Sequence, residues 1–457
     1  MSEYRFAAAC LPDPREERDH LAGLLPAGLL PAGLLPAGML PPGGRAPPRG
    51  DDPAACAVLA WARSGLMHLT GHACGPPLAP RAPVLARAAA LTAAITALTS
   101  RDSGTVRLSL DHVLAFRAAL NGWSRRGAVS ANGTCRIVRA ADGWLAVNLA
   151  RPDDLRSVPA VLGRNLPGLA CPDALRVADT VWDELRAEAA SRPAAELAAA
   201  AQAVGIPASA LPAGAPAPCS LPPPVAATRL GSAGTAPRLV LDLSAMWAGP
   251  LCAAILGRAG WRVLKVEDVR RPDGARSGPP TFYADLHAGS QTVILDFGSA
   301  PGRAELARLA DRAGIVIESS RPRALRRLGL VAEDWLSASP GRVWVSVSGY
   351  GRPDSQQRVA FGDDAAVGGG LVSWAPDGTP VFCGDAIADP LSGLHAAVAA
   401  LAGHAAGGGW LMDVAMAGVC ADLARPGGPA WPHVISGGPG PGWTVRHGDV
   451  TEPVRSW

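Results

Sequence analysis

The stretch GDAIADPLSGLHAAVAAL, Gly384 to Leu401, sets an aspartate and a proline at the head of an Ala/Leu-rich helical pattern. Asp389 has two readings there. As an N-cap, its carboxylate accepts an orphan backbone N–H, and Pro390 at the first helical position has none to lose. As a chemical group, a carboxylate serves as acid, base or nucleophile. An internal repeat bears on the choice. The segment SGLMHLTGHACGPPLAPRAPVLARAAALTAAITAL can be laid over GGLVSWAPDGTPVFCGDAIADPLSGLHAAVAAL, with Leu91 matched to Leu394. Ala86 then stands where Asp389 is, and Arg87 where Pro390 is. The first copy builds the same helix without the cap signal, so the chemical reading of Asp389 gains weight.

The elements that position Asp389 follow from pattern. RLVLDLS, RVLKVE, TVILDF, GIVIES and RVWVSVSGYG are short apolar runs separated by helical segments. Strands alternating with helices of roughly 10–15 residues imply βαβ units and a parallel sheet covered on both faces. Ligands of such sheets bind beyond the C-terminal strand ends, here after Leu243, Glu267, Glu318 and Ser348. The turn after the first strand, DLSAMWAGPLCAA, lacks GxGxxG, and the chain has no GxxxxGK[ST] or HExxH motif. Further toward the N-terminus, CRIVRA and GWLAVNLA form a strand pair around an Ala-Asp-Gly turn, followed by Ala/Glu-rich helices.

Composition narrows the classes. At 457 residues the chain exceeds what one core usually serves, so two or three domains are expected. With 48% hydrophobic and 18% charged residues it has ample core material and is not a disordered chain. A net charge of +3 argues for neither nucleic acid nor an anionic membrane as partner. No apolar stretch is long enough for a membrane helix. The LLPAG repeat between Leu21 and Gly44 is broken by Pro and Gly, and Glu3, Asp13, Glu16 and Glu17 before it are wrong for a signal peptide. Nine scattered cysteines without a CxxC pair suit free thiols in a reducing cytoplasm, with no disulfide framework and no metal site.

From Arg238 to Ala424 the chain resembles the family III CoA-transferases, the group of formyl-CoA and carnitine CoA-transferases. The resemblance rests on VLDLSAMWAGPLCAAILGRAGWRVLKVE, VILDF, GIVIESSRPRALRRLGL, VSVSGYGR and AIADPLSGLHAAVAAL, in that order. DGWLAVNLARPDDL and AAELAAAAQAVGIPASAL resemble the small domain of the family, here placed before the sheet. The chain thus reads as a rearranged or partly duplicated member. The implied fold is α/β, a doubly wound Rossmann-like parallel sheet plus a small α+β domain. The expected organisation is a flexible leader (1–50), a degenerate partial copy of the sheet-domain helices (51–132) and the small domain (133–213). A Pro/Ala-rich linker (214–236), the CoA-binding α/β domain (237–425) and a Pro/Gly-rich tail (426–457) follow.

The resemblance makes Asp389 the nucleophile that takes CoA from an acyl-CoA and passes it to a small carboxylic acid, with N–H donors at the helix start for the oxyanion. CoA would be a substrate and not a resident cofactor. Its phosphates need basic groups; Arg321, Arg323 and Arg327 after GIVIES are expected there, against the reading of a solvated basic helix face. Ala245, Met246, Trp247 and Ala248 match the turn over which the family lays CoA. Ser319 and Lys265 are further expected contacts, Lys265 being divided between phosphate contact and strand-end solvation. Asp363 and Asp364 in AFGDDAAVGGG fall in a segment that approaches the active site in relatives. The chain departs from the family at Ser290, where a lysine is usual, and at Ser319–Ser320, where Asn-Phe is. CoA-dependent racemases have a histidine where Asp363 stands, which makes racemase or isomerase the second reading. A catalytically inactive CoA-binding subunit is the third. A homodimer is expected.

Overall fold

Short runs rich in Val, Ile and Leu supply the parallel strands of the central sheet. The computed structural model describes residues 2–9, 24–25, 29, 56–100, 104–166, 174–212, 221–353, 358–426, 430–438 and 442–457. In chain order the strands begin with β1 (Ser2–Ala9), β2 (Cys135–Arg139), β3 (Gly143–Asn148), β4 (Ala208–Pro212) and β5 (Val225–Arg229). Then come β6 (Leu239–Leu243), β7 (Arg262–Asp268), β8 (Gln291–Leu295), β9 (Ile315–Glu318) and β10 (Val343–Ser348). The last six are β11 (Val372–Trp374), β12 (Pro380–Phe382), β13 (Trp410–Ala415), β14 (Ala430–Gly438), β15 (Gly442–His447) and β16 (Val450–Pro453).

The central sheet has the order β5-β13-β10-β9-β6-β7-β8. Its six strands from β13 to β8 are parallel. Alternate residues face opposite layers, as a pleated strand requires. Val240, Ile315, Ile317, Val343, Val345 and Val347 pack with helices Ala248–Arg258 and Ala388–Ala405. Leu241, Val316 and Trp344 pack on the other side with helices Ala300–Asp311 and Ala332–Ala338. Because both faces are covered, β10 is buried along its whole length.

Three segments differ from expectation. Val225–Arg229, inside the supposed linker, pairs antiparallel to β13 and closes one sheet edge. Pro and Ala dominated the reading of that segment, but Val225 packs into the core beside Val414. Ser2–Ala9, inside the supposed leader, pairs with β14 across eight residues. The Pro/Gly-rich 426–457 carries β14, β15 and β16, so the ends of the chain share one antiparallel sheet. Most of the LLPAG repeat lies outside the described residues.

The sheet β2-β3-β4 holds helices Pro152–Leu162, Ala174–Ser191 and Ala194–Ala203 in a separate core. The two repeat helices, Val84–Thr99 and Ala388–Ala405, pack against each other with Leu91, Ile95, Leu394 and Val398 in one core. Arg87, at the position of Pro390, is buried and donates to the carbonyls of Asp422, Leu423 and Arg425 at the end of helix Met416–Leu423. Among the described residues no helix is long and apolar enough to cross a membrane.

Candidate active site

Asp389 is not the cap of its helix. The helix starts at Ala388, Ile387 is the N-cap, and no side chain caps it. Asp389 lies within the first turn, and its carboxylate turns away from the helix to accept the N–H of Gly362. Gly362 is needed for this approach: a Cβ there would overlap both the Ala386 carbonyl and Asp389 Oδ2. Gly362→Ala is therefore expected to cost about 1–3 kcal/mol, the range for overpacking, in urea unfolding. A loss within error would mean that the turn relaxes freely.

Ala386 precedes Asp389 with φ 42, in the left-handed region that a non-glycine residue seldom occupies. It is held there from both sides. Its N–H donates to Asp363 Oδ1 at 3.0 Å, and its carbonyl accepts the Asp389 N–H at 2.9 Å. Leu391 N–H bonds to the Ile387 carbonyl, and Pro390 has no N–H. The donors expected from positions 389–391 for an oxyanion are thus already engaged.

Three carboxylates meet one guanidinium at this turn. Arg117, from helix Leu110–Leu120, donates two hydrogen bonds to Asp385 at 2.7 and 2.6 Å. Asp385 is fully buried. The Arg117 guanidinium sits 4.8 Å from the Trp247 ring centroid and 5.6 Å from that of Trp123, a cation–π cradle. Burial pushes Asp389 up to about 7; the Asp385 charge adds to this, while Arg117 and the Gly362 N–H pull it back. Asp363, more deeply buried than the half-buried Asp389, is pushed up to about 7, with Asp385 raising it and Arg117 opposing. One positive charge among three acids leaves part of the negative charge uncompensated, which is why Asp363 and Asp389 are both raised. Asp364 differs: it accepts the N–H of Phe361 at 3.0 Å and the amide of Asn148 at 3.2 Å, and closes the start of helix Gly362–Gly368.

At the mouth of the sheet, Ser319 Oγ accepts the Ala245 N–H at 3.1 Å and ties the end of β9 to the turn after β6. Met246 has φ 73, and its N–H donates to Asp273. Trp247 and Ala248 are buried beneath that turn, with Trp247 edge-on to Phe282 at 5.0 Å. Neither offers a surface to a ligand; Trp247 is instead the platform for Arg117. Lys265 corrects both of its expected roles. It is fully buried, pairs with Asp273 at 2.9 Å and Asp242 at 3.6 Å, and donates to the Ser244 carbonyl. Burial opposes its charge, but Asp242 and Asp273 more than offset this and raise its pKa. Lys265 shapes the 244–248 turn from below and reaches no solvent.

The arginines divide. Arg326 pairs with Glu333 at 2.9 Å. Arg321 has its pKa lowered, first by partial burial and then by Arg323, Arg151 and Arg271. Arg271 and Arg323 are exposed. Arg321, Arg323 and Arg271 gather beside the ends of β7 and β9, and Arg151 faces them while its own guanidinium is paired with Asp154 at 2.6 Å. Arg327 is exposed at the other end of helix Pro322–Arg327. Four residues that the motifs did not mark belong to these sites: Arg117, Asp385, Arg151 and Arg271. Asp385 stood in view, four positions before Asp389; nothing in LDHVLAFRAAL marks Arg117.

The CoA-transferase family III model matches residues 43–213 and 237–442, and the chain belongs to that family. It is 30% identical over 172 residues to the succinyl-CoA–D-citramalate CoA-transferase of Chloroflexus aurantiacus, covering 35% of this chain and 43% of that one. With the human succinyl-CoA:glutarate CoA-transferase it shares 30% identity over 174 residues, 36% of this chain and 40% of the relative. The chain thus spans about two-fifths of the length of these relatives. Among solved structures, a CAIB/BAIF family protein from Brucella suis is 25% identical and covers 42% of this chain and 56% of that one, with a TM-score of 0.38.

Proposed function

We propose that the protein transfers CoA from an acyl-CoA to a carboxylic acid with Asp389 as the nucleophile. The observation that carries this is the placement of its carboxylate: off the helix, with a raised pKa, between the Gly362 N–H and the Arg117–Asp385 pair. An Asp389 oxygen adds to the thioester carbonyl, the C–S bond breaks, and a mixed anhydride and CoA thiolate result. The thiolate attacks the aspartyl carbonyl, releasing the first carboxylic acid and leaving an aspartyl-CoA thioester. The acceptor carboxylate then attacks that thioester, and the thiolate expelled returns to the acceptor's carbonyl, freeing Asp389. Each step exchanges one acyl bond for another and needs no redox partner.

CoA in this proposal lies over the Ala245–Met246 turn and Ser319, with its phosphates on Arg321, Arg323 and Arg271, and Arg327 at the rim. Arg321→Ala is expected to weaken CoA binding by about 1.5–3 kcal/mol, the range for a charged hydrogen bond, and binding should weaken as salt rises. Unchanged affinity in calorimetry would return these arginines to a solvated face. The domain division 133–213 and 237–425, and a homodimer, belong to the same proposal; a monomeric mass in light scattering would remove the dimer.

The pKa of Asp389 fixes a pH dependence. A carboxyl raised to about 7 is protonated, and not nucleophilic, below that pH. Transfer should therefore rise about tenfold per pH unit below 7 and level off above it. A flat profile from pH 5 to 8 contradicts Asp389 as the ionising nucleophile. The relatives' names make succinyl-CoA the first donor to try. Incubated with labelled carboxylic acids, the protein should yield labelled acyl-CoA esters by mass. Deuterium uptake at the α-carbon without such transfer would instead point to isomerisation.

A further inference from the structure

Away from the carboxylate turn, the two ends of the chain bring three potential metal ligands together. Cys56 immediately precedes helix Ala57–Arg63. The β14–β15 register pairs Val434 with Arg446, which sets His433 across from His447. Their rings stack 4.8 Å apart at 27°. Cys56 and His433 are wholly buried, and His447 is 4% exposed. Cys56 Sγ lies 3.1 Å from His433 Nε2, and one ligand atom from each of the three residues falls within 4.8 Å of the others. His447 Nδ1 is buried with no hydrogen-bond partner among the described residues. A buried ring nitrogen left without a partner is uncommon in a settled core.

We infer that Cys56, His433 and His447 bind a borderline divalent metal ion of the zinc class, which pins the C-terminal hairpin to the N-terminal helix. One thiolate and two imidazoles suit zinc or its cobalt substitute, and not magnesium or calcium, which take oxygen. Zinc–sulfur and zinc–nitrogen bonds of about 2.3 and 2.0 Å put tetrahedral ligand atoms roughly 3.3–3.6 Å apart. Seating the ion thus needs at most about 1.5 Å of closure, within reach of one imidazole rotation. No further His, Cys or carboxylate joins the group among the described residues, so the fourth position belongs to water. Binding displaces the Cys56 proton. Cysteine spacing cannot reveal this site, because Cys56 and His433 stand 377 positions apart. The same junction carries the Arg63–Glu452 ion pair and the Arg455 N–H bond to the Ala62 carbonyl, so the ion would lie within an existing seam.

The test uses the full chain, loaded with zinc chloride and desalted, and a parallel sample loaded with cobalt. The wild type should retain one zinc per chain by elemental mass spectrometry, and the cobalt form should show thiolate-to-metal charge-transfer absorption. Cys56→Ser keeps a good helix cap at that position, and should lose the charge-transfer band and at least tenfold of the retained zinc. His447→Gln should lower zinc retention to the same degree. Wild-type protein that retains no zinc, or cobalt protein without the thiolate band, overturns the site. Undiminished zinc in Cys56→Ser overturns it too.

Discussion

Asp389→Asn should abolish CoA transfer while leaving CoA binding intact, and above pH 7 it should make the protein more stable. The activity loss follows from chemistry, since an amide cannot form the anhydride or the aspartyl thioester. The stability gain follows from linkage. The folded pKa of Asp389 is raised to about 7, above an unfolded value of about 4. Its contribution to stability is therefore full below about pH 4 and is lost as pH climbs from there to about 7. Asn does not ionise and keeps that contribution. Discounted for its partial exposure, the gain at pH 8 should be about 1–2 kcal/mol, vanishing near pH 4. A capping aspartate would behave otherwise, because Asn caps about as well as Asp and would change little at any pH. Full activity in the Asn variant, or equal urea midpoints at pH 8, would contradict the account of this residue.

Arg117→Ala should have the largest structural effect. It leaves Asp385 buried without its guanidinium, and breaking such a pair costs about 3–5 kcal/mol. It also opens a hole between Trp247 and Trp123. The informative readout is the pH profile of the protein that still folds. Arg117 pulls the Asp389 pKa down, so its removal should move the acid limb of transfer to higher pH. Arg117→Lys keeps the charge but not the paired N–H fork; it should recover most of the profile and only part of the stability. If Arg117 merely fills space, both variants will lose stability while the acid limb stays in place.

This arginine gives the 51–132 segment a part in the proposal. The copy carries alanine at position 86 and has no nucleophile of its own at that place. Its helix Val84–Thr99 packs on helix Ala388–Ala405, and helix Leu110–Leu120 delivers Arg117 to the carboxylates of the other copy. The charged cluster around Asp385 is thus composed from two distant segments of one chain.

The parallel strands were legible because their apolar runs alternate with helical segments, even at the edge, where Gln291–Leu295 leaves Ile294 62% exposed. Val225–Arg229 was hidden by composition: prolines beside it spoke for a linker, while pairing with β13 depends on a partner far along the chain. Asp389 drew attention because the matched helix carries Ala86 in its place. Lys265 was misread because a lone lysine at a strand end looks solvated, and the acids that bury it, Asp242 and Asp273, come from two other segments. Arg117 was invisible for the same reason, since its partner stands 268 positions later. Local pattern reports burial and turns; charge pairing across the fold leaves no trace in spacing.

The central claim is tested most directly by quenching the protein during turnover with succinyl-CoA and mapping the adduct by peptide mass spectrometry. The account predicts CoA, or after borohydride a reduced aspartyl residue, on the peptide that contains Asp389, with the Ala86 peptide unmodified. Turnover that proceeds while Asp389 stays unmodified, or an adduct on another side chain, would contradict it.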